Sequence, residues 1–279
     1  MIYDHRKKAG NPADIVKHIA LLSALNGVLA KSDKNPFRYA DIFAGFPENH
    51  LIPGNEWEAG IGRLDHPLKN IRNPHIANWY NRCAGDKNRA NWHYPGSATI
   101  AEDEIKRNGK QPELLLWDIA DEVIEALTAY FGSSAAICQK MAVPEDPLLH
   151  QADFIFIDPP GIASPRHPEF PRKTYLAAFF AKLETNLLMW LPLKNKGEAC
   201  TSEITSDRKN GMQSLTLAET TIKWSPKAGC RLIYQLPTSA IQTLHQTLAD
   251  TTEEILPPIT GFARMTHDQF SLDIHNGAC

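Results

Sequence analysis

The stretch Phe154 to Gly161, FIFIDPPG, holds the residues of this chain best suited to chemistry. Phe154 to Ile157 are continuously apolar and include two β-branched isoleucines; Asp158 and two prolines follow at once. Such a run reads as a strand buried on both faces. Pro159 and Pro160 end it and fix φ, so the turn is rigid. Asp158 is thereby held at the carboxyl end of a central strand, the edge at which open α/β sheets bind ligands. An amino group on an adenine ring is a poor nucleophile, because its lone pair is delocalised into the ring. A fixed side-chain oxygen and the carbonyl of Pro159 can accept its two N–H bonds, make the nitrogen more pyramidal and aim the lone pair at an electrophile. The sulfonium methyl of S-adenosyl-L-methionine is the usual one. The gain comes from orientation and aimed dipoles. The same residues also suit a plain strand-end turn, which many folds share.

The elements that would position this turn alternate. Asn11 is a suitable N-cap and Pro12 a suitable first residue for a helix, and Ile15, Ile19, Leu22, Leu25 and Leu29 recur at helical spacing to about Ala30. Phe37 to Gly45 reads as the first strand with its turn. Residues 46–95, rich in Pro, Gly, Asn, Trp and His, read as a helical insertion subdomain with helices near Glu56 to Arg63 and Pro74 to Cys83. A helix then runs from Ser97 to about Arg107, a strand over Glu113 to Asp118, a helix over Asp121 to Tyr130 and a third strand over Ala135 to Cys138. After the FIFID strand come a helix over Thr174 to Leu187, a strand over LLMWLPL, strands over Ser214 to Ile222 and Cys230 to Leu236, and a helix over Ala240 to Leu248. Alternation of this kind predicts an α/β, doubly wound, mostly parallel sheet. The 279 residues fit a single domain, 1–279, that contains the insertion.

Composition is that of a soluble globular protein, with 43% hydrophobic and 22% charged residues. No apolar run is long enough to span a bilayer, and the start lacks the apolar segment of a secretory signal. The five cysteines show no paired spacing, which argues for reduced thiols in a cytoplasm and against a zinc site. Net charge is −3 and the pI about 6.4, so the chain lacks the bulk signature of a nucleic-acid binder. His5, Arg6, Lys7, Lys8, Lys17 and His18 nevertheless crowd the N-terminus and could meet phosphates; a solvated basic tail is the simpler use.

In a doubly wound sheet the turn after the first strand meets the cofactor. Here it is Asp41 to Pro47, in which Gly45 permits a tight turn. Asp118 ends the second strand, where an acid can take a ribose hydroxyl pair or cap the next helix; the two roles are compatible. Trp57, Trp79 and Trp92 suit either a stacking platform or core packing of the insertion, and packing is the simpler use. His167 and Glu169 are read as a polar loop, not a metal pair.

Several segments together carry a resemblance. HRKKAGNPADIVKH (His5 to His18), YADIFAG (Tyr39 to Gly45), YPGS (Tyr94 to Ser97), FIFIDPPG and AGCRLIYQLP occur in this order. The pattern resembles the bacterial 23S ribosomal RNA adenine-N6 methyltransferase family, also described as proteins for catabolism of external DNA. The resemblance implies a Rossmann-like class I methyltransferase domain that uses S-adenosyl-L-methionine to methylate one adenine of large-subunit rRNA in the cytoplasm. DNA is a further partner it allows; neither metal nor membrane is implied. It implies that Asp158, with Pro159, is catalytic, and that His18, Phe43, Gly45, Ser97 and Asp118 lie where the family contacts the cofactor. Tyr3, His5, Lys8 and Gly161 fall on the substrate side.

The chain departs from the family pattern at four places. Phe43-Ala44-Gly45-Phe46-Pro47 stands where the family has His-Ala-Gly-Ala-Gly. Asp118 replaces a glutamate. Lys140 to Pro144 offers no acid near the adenine of the cofactor, although Glu145 and Asp146 lie just beyond. Gly161 replaces an aromatic residue that would stack on the target base, a contact worth about 1–3 kcal/mol; Phe170 or Tyr175 is a substitute ring from the following loop. These departures motivate an alternative, a catalytically weakened or non-enzymatic nucleic-acid-binding descendant. A different Rossmann-type enzyme or an α/β-hydrolase finds less support, since neither the Gly-x-Ser-x-Gly elbow nor the phosphate-loop motif occurs.

Overall fold

The structure is a computed structural model that describes residues 7–64, 71–83, 92–165, 168–193 and 215–269. It opens with α1 (Pro12–Leu29), whose start is as the sequence predicts: the Asn11 side chain accepts a hydrogen bond from the Asp14 amide and Pro12 occupies the first turn. Apolar residues lie on every side of α1, and Asp14, Lys17 and His18 are buried with them. It is therefore an interior helix and not a surface one.

The sheet has eight strands: β1 (Phe37–Asp41), β4 (Pro112–Asp118), β5 (Ala135–Gln139), β6 (Phe154–Ile157), β7 (Asn186–Pro192), β8 (Thr216–Lys223), β9 (Gly229–Leu236) and β10 (Arg264–Gln269). A separate hairpin pairs β2 (Glu48–His50) with β3 (His93–Pro95). The order across the sheet is β5-β4-β1-β6-β7-β9-β8-β10. The five strands from β5 to β7 are parallel, while β9, β8 and β10 join antiparallel. This is the α/β, mostly parallel architecture the sequence predicts.

Side chains alternate across the sheet with the period of a strand. Tyr39, Leu114, Leu116, Phe154 and Phe156 join the core beneath α1. Ala40, Leu115, Trp117, Ile155 and Ile157 join the other, with Leu176, Phe179 and Phe180 of α5 (Lys173–Lys182). The first core also takes side chains from α2 (Pro74–Cys83), α3 (Ser97–Arg107), α4 (Asp121–Phe131) and α6 (Thr238–Asp250). A buried carboxylate on α3, Glu104, accepts 2.6 Å hydrogen bonds from Asn26 of α1 and Asn78 of α2 and so ties three helices together. A π-helical turn (Thr251–Ile255) and the short α7 (Leu256–Thr260) lead to β10.

The chain runs from β1 outward to β4 and β5, then returns to β6 and β7 on the opposite side of β1. The strand order thus reverses between β1 and β6, and ligands of open α/β sheets bind outside the carboxyl ends of strands at such a point. Tyr39 is in register with both Leu114 and Phe154, and Asp41 with both Leu116 and Phe156, so three strand ends come level at this rim.

Four local expectations change. Glu56 to Arg63 forms two short 3-10 turns, Glu56–Ala59 and Ile61–Arg63, instead of a helix. Residues 46–95 also contain the β2–β3 hairpin, which was not predicted because strands of three residues give too few alternations to read. α5 stops at Lys182, since β7 needs Asn186 onward for pairing with β6. β10 went unpredicted because it is a polar edge strand, the kind that resists wrong pairing. Trp57, Trp79 and Trp92 are at most 8% exposed and serve as core.

Candidate active site

Asp158 follows directly on the four buried residues of β6. Its Oδ2 accepts a short hydrogen bond from the ammonium of Lys17 on α1. That ammonium also pairs with Asp14 Oδ1 at 2.8 Å, and Asp14 Oδ2 accepts the Gly10 amide at 2.9 Å. Side-chain exposures of 5% for Lys17, 3% for Asp14 and 17% for Asp158 decide the character of the cluster: the carboxylate of Asp158 alone reaches the surface. Burial alone would lower the Lys17 pKa, but the charges of Asp14 and Asp158 outweigh it and hold the group above its ordinary value. The ammonium also lies 5.9 Å from the centre of the Trp190 ring on β7. Lys17 is therefore not the phosphate contact the sequence allowed. It pins one oxygen of Asp158, while Oδ1 accepts no hydrogen bond among the described residues.

A second carboxylate lies at the same rim. Asp41, the last residue of β1, is fully buried. Its Oδ2 accepts hydrogen bonds from Ser97 Oγ at 2.6 Å and Tyr39 OH at 3.1 Å, and Oδ1 accepts the Phe43 amide at 3.3 Å. Among the described residues no cation lies within ion-pair distance of it. Burial pushes its pKa up to about 7; the Ser97 hydrogen bond opposes this and the nearby charge of Asp158 adds to it.

The turn after β1 meets the end of β4. Gly45 has φ +62°, in the left-handed region, and a β-carbon there would touch nothing within 4 Å. Its amide donates to Asp118 Oδ2 at 3.1 Å. Asp118 Oδ1 accepts the amides of Ile119 at 2.7 Å and Ala120 at 3.0 Å. The helix cap is Ala120, so Asp118 braces the turn ahead of α4 and does not serve as its N-cap. A carboxylate has about four acceptor positions, and three are occupied here. Ile119, the next residue, is 67% exposed, and beyond the end of the neighbouring β5 come Met141 at 44% and Val143 at 45%. The two acids just beyond are engaged with lysines, Glu145 with Lys182 and Asp146 with Lys140 at 2.7 Å.

The other predicted residues fall as follows. Ser97 begins α3, behind the N-cap Gly96, and its hydroxyl is directed at Asp41. His18 is buried; its Nδ1 lies 2.9 Å from the Tyr94 hydroxyl and the two rings stack at 5.3 Å. Phe43 is half-buried against the core on the α5 side. Pro159 and Gly161 are buried, and Lys8 is exposed ahead of α1. Tyr3 and His5 lie outside the described residues. Asp158, Lys17, Asp14, Asp41 and Ser97 are thus brought to one rim, with Gly45 and Asp118 paired alongside. Sequence reasoning missed Asp41 and Asp14 as site residues. The available signal was two charges, Asp14 and Lys17, set three apart on an otherwise apolar helix, and an acid ending β1 as Asp158 ends β6.

No family model and no curated protein matches the sequence. Among solved structures the chain is similar to protein LPL1258 of Legionella pneumophila str. Philadelphia 1, described with family model DUF519, at 20% identity and a TM-score of 0.69 over 95% of this chain and 99% of that one. It also aligns with a candidate rRNA-methylase from Clostridium thermocellum, at 10% identity and a TM-score of 0.33 over 73% of this chain and 90% of that one. A third likeness is a candidate class I S-adenosylmethionine-dependent methyltransferase from Listeria monocytogenes, at 8% identity and a TM-score of 0.43 over 82% of this chain and 62% of that one. At such TM-scores the last two carry no argument. The Legionella likeness establishes a shared fold along nearly the whole length of both chains.

Proposed function

We propose that this protein is an S-adenosyl-L-methionine-dependent methyltransferase that modifies the N6 amino group of an adenine in 23S ribosomal RNA in the cytoplasm. One observation carries the reading: a rim carboxylate at the strand-order reversal, with one oxygen pinned by a buried lysine and the other open, followed by a proline carbonyl. The segments His5 to His18, Tyr39 to Gly45 and Tyr94 to Ser97, which resemble the rRNA adenine-N6 family, support the substrate assignment. Residues 46–95 are read as a subdomain within the single methyltransferase-like domain.

The donor's chemistry fits the residues at the ends of β4 and β5. Asp118 has about one acceptor position left for a ribose hydroxyl. Ile119, Met141 and Val143 offer an exposed apolar surface suited to a purine face. When bound, the donor supplies an electrophilic methyl carbon on sulfur. The resemblance would put Ser97 and His18 at its outer end and Phe43 with Gly45 beneath it, although Ser97 and His18 are buried on Asp41 and Tyr94. The target adenine must leave its stack to reach this rim. Asp158 Oδ1 and the carbonyl of Pro159 accept its two N–H bonds and turn the lone pair outward. Lys17 prevents Asp158 from rotating. Transfer would break the donor's carbon–sulfur bond as the carbon–nitrogen bond forms, leaving a neutral thioether, and Asp158 Oδ1 would accept the proton the nitrogen sheds and pass it to water.

The test is methyl transfer to rRNA from cells that lack the protein. Wild type restores one N6-methyladenine. Asp158→Ala abolishes transfer yet folds, because Lys17 retains Asp14; Asp158→Asn keeps one acceptor and partial activity. Full activity of the alanine variant refutes the assignment. The occupied state of Asp118 and the loss of the family's histidine at Phe43 favour a second reading, a weakened descendant that binds nucleic acid in the use of external DNA. Calorimetry separates the two: micromolar S-adenosyl-L-methionine binding supports the enzyme, and absence of heat at high concentration supports the descendant.

A further inference from the structure

The chain leaves β5 at Gln139, which is in register with Asp118, and then alternates. Met141, Val143 and Glu145 are exposed, while Ala142, Pro144 and Asp146 between them are buried. Met141 and Val143 are apolar, so turning either one inward would be favourable. Something must hold them out. Ala142 is fully buried in the core on the α5 side, and its carbonyl accepts a 2.5 Å hydrogen bond from the Tyr175 hydroxyl. Tyr175 belongs to the first turn of α5, the helix that follows the Asp158 turn in the chain. Its ring packs edge-on against Phe179 at 5.2 Å, which fixes where the hydroxyl can reach. Burial raises the pKa of that hydroxyl to about 12, so it remains a donor at neutral pH. The sequence offered this ring as a substitute for the one missing at position 161; its hydroxyl is turned to the loop after β5.

Ala142 is thus anchored twice, by its methyl group in the core and by its carbonyl on Tyr175. In an extended segment the neighbours of an inward residue point outward. Fixing Ala142 therefore fixes the direction of Met141 and Val143 as well. A second contact from α5 reaches the same segment, Lys182 with Glu145, but side-chain exposures of 51% and 59% leave that pair screened by solvent. The buried hydroxyl is the stronger hold. We propose that Tyr175 is a positioning residue for the methyl donor: its hydroxyl keeps Met141 and Val143 turned outward as a wall for the donor's purine, while touching no ligand itself. The inference rests on the methyltransferase reading above.

The full chain is titrated with S-adenosyl-L-methionine by calorimetry, and methyl transfer to rRNA from cells lacking the protein is measured with each substrate varied in turn. Tyr175→Phe keeps the ring and removes the hydroxyl. It should raise the donor dissociation constant and the donor KM by about 5- to 10-fold, the loss of one net hydrogen bond, and leave kcat at saturating donor and the KM for RNA within about twofold. The melting temperature should fall by no more than about 4 °C. Amide hydrogen exchange over residues 140–147 should quicken in the ligand-free chain. Lys182→Gln cuts the exposed tether and should leave donor binding and turnover unchanged. Wild-type donor affinity in Tyr175→Phe overturns the role. So does a fall in kcat, or a rise in the KM for RNA that matches the rise for the donor, since either marks a general loosening of the rim. If wild type itself binds no donor, the proposed function fails and takes this inference with it, so the two failures are told apart.

Discussion

Replacing Lys17 with methionine tests how the rim is held. Methionine nearly matches the aliphatic length of lysine, so the change removes the charge and little packing. At 2.8 Å from Asp14 the ammonium gains about 6 kcal/mol of attraction at an effective dielectric near 20. Desolvation of both groups offsets part of that, and breaking a buried pair by removing one partner costs about 3–5 kcal/mol. The loss falls mainly on Asp14, whose side chain is 3% exposed, because Asp158 at 17% can recruit water. Urea unfolding should register that cost, and a chain of this size should melt about 10 °C lower. The double variant Asp14→Asn, Lys17→Met should recover about half of the loss, since no unpaired buried carboxylate remains at position 14. The sign with pH is also set: the Lys17 pKa is raised on folding, so the pair stabilises fully below the ordinary lysine value and is lost only as pH climbs through the higher folded value. A Lys17→Met protein within ~0.5 kcal/mol of wild type, the range of a neutral surface change, would refute the clamp.

Two further groups titrate in opposite senses. Asp41 has a folded pKa of about 7 against an ordinary 3.8, so its stabilising contribution is present below 3.8 and lost as pH rises to about 7. At ~1.4 kcal/mol per unit the upper bound is about 4 kcal/mol; Asp41→Asn should flatten this slope in urea titrations from pH 4 to about 8, and an unchanged slope contradicts the assignment. His245 on α6 stacks at 4.0 Å on His267 of β10 and bonds the Tyr234 hydroxyl, which with His267 also meets Thr220. Burial, and the charge His267 would bring, lower its pKa from 6.5 to about 4, so its contribution is present above 6.5 and lost as pH falls through about 4. Being half-exposed, it is worth only about 1 kcal/mol after screening. His245→Asn should remove that acid limb, and an acid midpoint identical to wild type counts against the linkage.

The parallel strands were legible because each is a short apolar run bounded by breakers, and α1 because Asn11 and Pro12 mark its start. The same local signals placed Asp158 at a strand end, since the prolines that follow leave the backbone no other course. What stayed hidden was short, polar or distant. β2, β3 and β10 present too few alternating residues to read as strands, and they exist because a neighbouring strand pairs with them. Asp118 could be assigned a position but not its partners, because Gly45 lies 73 residues away in the chain.

The sequence by itself determined which segments bury both faces, where the main strands end and which carboxylate stands at the rim, because periodicity and breakers act over a few residues. Only the tertiary structure decided that Lys17 reaches Asp158 across 141 residues, that Asp41 joins Ser97, and that Phe170 covers Gly161. Those pairings follow from the order of strands and the seating of α1 against them, which bring together side chains whose local sequence carries no mark of one another.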